Sequence, residues 1–135
     1  MKDYLFAYGT LANSKVPHEI TSSVKQLKHI GDGFIFGRLY DVGEYPGTVL
    51  DSDRRYRVYG KIFELPADPN VLERLDAYEA FDPQRPRTSL FVRHRTAITR
   101  PNKSTLVGWV YEYNRDVTAL PLIENGHYSK ASTRA

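Results

Sequence analysis

"YRVYGKIFELPADPNVLERLDAYEA", residues 56–80, contains both kinds of secondary structure that the chain signals. Its first ten residues are dense in aromatic and β-branched side chains and read as a strand over about 56–65. Asp68 then offers an acceptor to the first turn of a helix, and Pro69 supplies the fixed φ that suits a first helical residue. Val71, Leu72, Leu75 and Tyr78 follow at helical spacing. That spacing predicts a helix ending near Ala80, ahead of Asp82-Pro83. It is the clearest helix in the sequence.

On either side of this stretch the chain reads mainly as strand. Strands are expected at about 3–8, from about 26 to 40, at about 89–98 and at about 105–113. A turn is expected at Pro46-Gly47, leading into one more strand. Gly31 and Gly33 are candidate bulge or bend points in the long strand, and "RPNKS" at 100–104 separates the last two strands as a turn. A short helix is expected near Pro17. Residues beyond about 114 read as irregular, with a flexible tail after about 129. Strands outnumber helices and the two do not alternate. The expected fold class is therefore α+β: a small mixed β-barrel, partly closed, with one or two flanking helices.

The 135 residues suit a single domain spanning 1–135, with ordinary globular usage of 41% hydrophobic and 26% charged residues. Cysteine is absent, which excludes disulfides, thiolate metal sites and a cysteine nucleophile and fits a cytoplasmic protein. No stretch approaches the roughly 18–20 apolar residues of a membrane span, and the N-terminus does not read as a secretory signal, so no membrane partner is expected. The net charge is +3. Arg54-Arg55-Tyr56-Arg57 and Arg93-His94-Arg95 combine cations with aromatic or imidazole rings, as nucleic-acid surfaces do. Sixteen acidic residues are scattered among the nineteen basic ones, however, and no nucleic-acid partner is expected.

Local motifs exclude several chemistries. "GDGFIFG" at 31–37 has Phe36 where a dinucleotide loop needs glycine. The histidines at 18, 29, 94 and 127 lack metal-ligand spacing, and no G-x-S-x-G elbow occurs. Neither metal nor cofactor is expected.

The helix is more informative. Glu79 lies one turn beyond Leu75, within the apolar stripe, whereas Glu73 and Asp76 project away from its centre. A charged carboxylate aimed at an interior costs free energy unless it is paired or hydrogen-bonded. One reading has Glu79 turn outward at the helix end or pair with an arginine such as Arg93. The other makes it a general acid/base tuned by an apolar pocket. Position alone leaves both open. Tyr8, Tyr45, Tyr78, Tyr111 and Tyr128 are either packing residues or the walls of a polar pocket. "YGTL" at 8–11 is either a plain turn after a buried strand or a loop whose backbone amides hold an anion.

Taken in order, "YGTL" at 8–11, "GRLYDVGEYPGTVL" at 37–50, "VYGKIFEL" at 58–65, "LDAYEAFDP" at 75–83, "LFVRHRTAI" at 90–98, "GWVYEY" at 108–113 and "ENGHY" at 124–128 span nearly the whole chain. This series resembles the gamma-glutamylcyclotransferase-like family, which includes gamma-glutamylamine cyclotransferases and AIG2-like proteins. The resemblance implies a cavity at the YGTL loop. It also implies an enzyme that cyclises a gamma-glutamyl group to 5-oxoproline, releasing an amine or amino acid without a cofactor. It places the family's catalytic glutamate on Glu79, its substrate-holding loop on Tyr8, Gly9, Thr10 and Leu11, and a late pocket tyrosine on Tyr128. The only partner it implies is a small gamma-glutamyl substrate; the alternative is a protein of the same fold that binds a metabolite or partner without turnover. Two departures stand out: Ala80 follows Glu79 where the family commonly has glycine, and Phe91 stands where it commonly has tyrosine.

Overall fold

The computed structural model of the chain describes residues 2–9 and 21–129. Among these residues six strands are formed: β1 (Asp3–Ala7), β2 (Lys28–Asp41), β3 (Pro46–Leu50), β4 (Arg57–Leu65), β5 (Phe91–Thr99) and β6 (Thr105–Tyr113). Helix α1 (Thr21–Val24) is a single turn, and α2 (Pro69–Tyr78) is the main helix. The strands run in the order β3-β2-β4-β1-β6-β5, and a further β2–β5 pairing at Phe34 and Thr99 closes the last five into a barrel. Neighbours are antiparallel except β1 and β6, which run parallel, so the barrel is mixed. β3 is appended outside the closed ring through its ladder with β2.

The alternation along β1 separates the two halves of the core. Leu5 and Ala7 face the cluster beneath α2, with Val71, Leu75, Phe91 and Tyr111. Phe6 and Tyr8 face the barrel interior, with Ile35, Leu39, Val58, Ile62, Ile98 and Val110. Helix α2 starts where the sequence placed it, with Asp68 Oδ1 accepting the Asn70 N–H at 3.0 Å.

The β2–β4 ladder shifts register between His29 and Gly31, the expected bulge, while Gly33 stays paired with Gly60. Pro46 and Gly47 are a correction to the sequence reading: they lie inside β3, opposite Asp41 and Tyr40. The turn comes earlier and is closed by the Val42 N–H to the Tyr45 carbonyl at 3.1 Å. A proline at the first position of a strand removes no ladder bond that the sheet requires. The helix expected near Pro17 and the tail from 130 lie outside the described residues.

The segment after β6 is irregular but anchored. Asp41 donates to the Pro121 carbonyl at 3.0 Å, Ile123 to the Leu39 carbonyl at 2.7 Å and Tyr59 to the Gly126 carbonyl at 2.9 Å. These bonds deliver Tyr128 to the barrel interior. The basic clusters engage the protein itself. Arg57 lies 4.4 Å over the Phe34 ring and Arg54 5.3 Å over Phe36. Arg95 meets Asp3 at 3.2 Å, and His94 meets Glu112 at 3.2 Å. Among the described residues, no helix is long and apolar enough to cross a membrane.

Candidate active site

Glu79 is the C-cap of α2, and its N–H bonds back to the Leu75 carbonyl at 2.9 Å. The next residue, Ala80, is left-handed, with φ of 55°. This lets the Phe81 N–H reach the Asp76 carbonyl at 2.9 Å and the Ala80 N–H reach the Ala77 carbonyl at 3.2 Å. The two bonds together form the closure that commonly ends a helix through a left-handed residue. The Ala80 carbonyl accepts the Leu90 N–H at 3.1 Å, tying the turn to the approach of β5. So held, the Glu79 side chain is fully buried, at 0% exposure. The outward-turned alternative does not describe it.

Asp76 overturns one expectation. It is 4% exposed rather than projecting into solvent. Its Oδ1 accepts from Arg93 Nε at 2.8 Å and from the Tyr111 hydroxyl at 2.7 Å, and its Oδ2 accepts from Arg93 Nη2 at 3.2 Å. Arg93 and Tyr111 reach across from β5 and β6 to the flank of the helix. Their donors let a carboxylate sit where the apolar stripe alone would not admit one. The arginine considered as a partner for Glu79 thus makes its two-point contact with Asp76. Trp109 backs the guanidinium, with its ring centroid 4.1 Å away.

Tyr8 follows the last residue of β1 and is buried. Its hydroxyl donates to the Tyr111 carbonyl at 2.5 Å and accepts the Thr48 N–H at 3.3 Å. Burial pushes the Tyr8 phenol well above its ordinary value; Thr48 pulls it back, and the charges of Glu79 and Glu112 raise it further. Tyr111 is also raised, by burial first, then by the charge of and hydrogen bond to Asp76 and by the charge of Glu79, with Arg93 opposing. Glu79 therefore lies within electrostatic reach of two phenols that stay protonated across the neutral range. Glu112 completes this wall, its Oε2 accepting the Leu50 N–H at 2.8 Å.

Of the residues singled out in the sequence, Gly9 is buried just beyond β1, and Thr10 and Leu11 lie outside the described residues. Tyr128 is buried in the barrel interior beside Tyr8. The two share the lining of a cavity of about 490 Å³ with Phe34, Tyr59 and His127, and Glu79 is not among its lining residues. The His127 ring stacks on Tyr59 with centroids 4.3 Å apart. Tyr8 thus lies within electrostatic reach of Glu79 and shares a cavity wall with Tyr128. Sequence reasoning missed Thr48 and Glu112, which carried no local signal. Asp76 carried one, since it lies three residues before Glu79 and so on a neighbouring helical face.

A buried carboxyl within electrostatic reach of two neutral phenols is the kind of group that general acid/base chemistry uses without a nucleophile from the protein. Comparison with known proteins gives this arrangement a family. The family pattern described as gamma-glutamyl cyclotransferase, AIG2-like, matches residues 5–130. The gamma-glutamylcyclotransferase family protein YtfP of Escherichia coli (strain K12) is 32% identical over 126 residues, covering 92% of this chain and 94% of its own. The Citrobacter rodentium protein of the same name is 30% identical over 125 residues, covering 92% and 93%. The crystal structure of an AIG2-like protein from Mus musculus superposes with a TM-score of 0.70 at 20% identity, covering 95% of this chain and 88% of that one. With a matching barrel, a matching pattern along nearly its full length and relatives at 30% identity or more, the chain belongs to the gamma-glutamyl cyclotransferase, AIG2-like family.

Proposed function

We propose that the protein is a cofactor-independent gamma-glutamyl cyclotransferase with Glu79 as its general acid/base. The substrate's free α-amine attacks its own γ-carbonyl, closing the five-membered ring of 5-oxoproline and expelling an amine or amino acid. The reaction is intramolecular, so holding the gamma-glutamyl chain folded supplies much of the acceleration; well-oriented attack of this kind is worth about 7–11 kcal/mol. Glu79 takes the proton that the amine sheds and returns it to the leaving nitrogen. Backbone amides of the loop that begins at Tyr8 hold the developing oxyanion. The Tyr8 hydroxyl is already engaged by the Tyr111 carbonyl and the Thr48 N–H. Its part in this reading is to fix where the loop starts.

The observation that carries the proposal is the complete burial of the Glu79 carboxyl at the α2 C-cap, within reach of Tyr8, in a chain of this family. The test is 5-oxoproline release from a panel of gamma-glutamyl amino acids and gamma-glutamylamines by wild type and Glu79→Gln. The variant is expected to fold normally and to lose at least ~100-fold in kcat. Undiminished turnover by Glu79→Gln refutes the assignment; saturable binding of the panel by wild type without any product refutes the enzyme.

A further inference from the structure

The Asp76–Arg93 pair sits directly behind the turn that carries Glu79. The backbone carbonyl of Asp76 closes that turn by accepting the Phe81 N–H at 2.9 Å, while its side chain is held by Arg93 and Tyr111. Arg93 in turn lies between the rings of Phe81, 5.8 Å from its centroid, and Trp109, at 4.1 Å. One residue therefore anchors the helix end through its main chain and, through its carboxylate, locks the same turn to β5 and β6. From the Asp76 side chain the bonds continue through Tyr111, whose carbonyl receives the Tyr8 hydroxyl, to the Thr48 N–H. Five elements thus meet behind a single carboxyl group.

We propose that Asp76 and Arg93 form a positioning pair for Glu79: the pair holds the cap turn, and its two opposed charges set the proton affinity of the Glu79 carboxyl. This inference takes Glu79 as the acid/base of the reading above. The titratable groups within its electrostatic reach include Tyr8 at the end of β1 and Tyr111 on β6, and the charged groups that act on the same two phenols are Asp76 on α2, Arg93 on β5 and Glu112 on β6. β3 contributes Thr48, which is uncharged. Tyr8 and Tyr111 remain protonated at neutral pH, so Arg93 is the cation of this set. Its charge offsets that of Asp76, and removing either partner leaves the other acting on Glu79.

The experiment is a carboxyl-carbon NMR titration of Glu79 in full-length wild type, Asp76→Asn, Arg93→Gln and the double variant, alongside the pH profile of 5-oxoproline release. Asp76→Asn leaves a net positive neighbour, and the Glu79 midpoint is expected to fall by about half a pH unit or more. Arg93→Gln leaves a net negative one, and the midpoint is expected to rise by a similar amount; the double variant returns towards wild type. A pair with only a packing role gives a different pattern. Loosening the turn would wet Glu79 in both single variants and move both midpoints the same way. Shifts of one sign, or none, therefore overturn the inference.

Arg93→Gln strands a buried carboxylate and is the variant at risk of unfolding. Asp76→Asn keeps the side-chain shape and an acceptor for Arg93. Wetting would lower its midpoint too, so amide exchange of Phe81, whose N–H closes the turn, is read beside it: a lowered midpoint with unchanged Phe81 exchange supports the pair, whereas a lowered midpoint with faster exchange, or an unmoved or raised midpoint, refutes it. The NMR midpoint does not depend on turnover. If Glu79→Gln still forms 5-oxoproline, the functional reading falls while the titration still judges the pair.

Discussion

Ala80 offers a direct test of the turn that buries Glu79. It is exposed and left-handed, with φ of 55°, and both hydrogen bonds that close the helix pass around it. An L-residue in that conformation costs roughly 1–2 kcal/mol, a penalty glycine does not bear. Glycine also enlarges the freedom of the unfolded chain, which costs about 0.4–1 kcal/mol. No buried contact is lost at an exposed methyl. Ala80→Gly is therefore expected to stabilise the protein by a net of about 0.5–1 kcal/mol. In a thermal melt this is a rise of a few degrees, on the order of 2–4 °C. The matched control is Ala77→Gly, an identical chemical change three residues earlier within α2, where glycine destabilises by about 0.5–1 kcal/mol. Urea unfolding of the three proteins at neutral pH reads both. The two variants should depart from wild type in opposite directions. If Ala80→Gly loses as much stability as Ala77→Gly, Ala80 is not left-handed in solution, and the account of why Glu79 points inward fails with it.

Three further outcomes follow from particular contacts. Gly126 has φ of 73°, and a Cβ there would lie 1.8 Å from the Arg57 carbonyl oxygen, so Gly126→Ala should cost at least about 2 kcal/mol in urea unfolding. Tyr8→Phe strands a buried carbonyl and a buried N–H, at a cost of about 1–3 kcal/mol; an unchanged urea midpoint would show that these bonds are not formed in solution. Tyr8 and Tyr111 have phenols raised in the folded state, so above about pH 10 the unfolded chain releases protons that the native state keeps. The stability these two groups contribute is complete below that pH and declines as pH rises above it. Tyr8→Phe and Tyr111→Phe should each flatten the alkaline decline, and a slope unaltered in both would contradict their burial.

What the sequence revealed was whatever its own neighbourhood decides. The start of α2 was legible because Asp68 caps a residue two positions away, and β6 was legible because a turn and a polar segment bracket an unbroken β-rich run. The misreading of Pro46-Gly47 has the opposite cause: a Pro-Gly pair favours a turn locally, and only the ladder with β2 makes it strand. Closure of the barrel likewise depends on Phe34 meeting Thr99, which no local pattern announces. In the site, helical spacing put Glu79 within the apolar stripe but left its direction open; the left-handed Ala80 and the closure of the turn decide it. The burial of Asp76 did not follow from spacing, since its donors come from residues 17 and 35 positions further along. The partners of the Tyr8 hydroxyl lie 40 and 103 positions away, beyond the reach of any motif.

The bonds that hold β3 have a consequence for the molecule's behaviour towards other chains. β2 occupies one side of this strand, and an unoccupied strand edge is a template on which a foreign strand can build a continuous sheet. At alternate positions along β3, Pro46 has no N–H to offer, the Thr48 N–H is capped by the Tyr8 hydroxyl, and the Leu50 N–H is capped by the Glu112 carboxylate. An incoming strand would find none of these three positions able to donate to it. The Tyr8 hydroxyl that meets the Tyr111 carbonyl therefore also closes one donor of β3, so its loss would leave both the barrel contact and this edge with an unmet group.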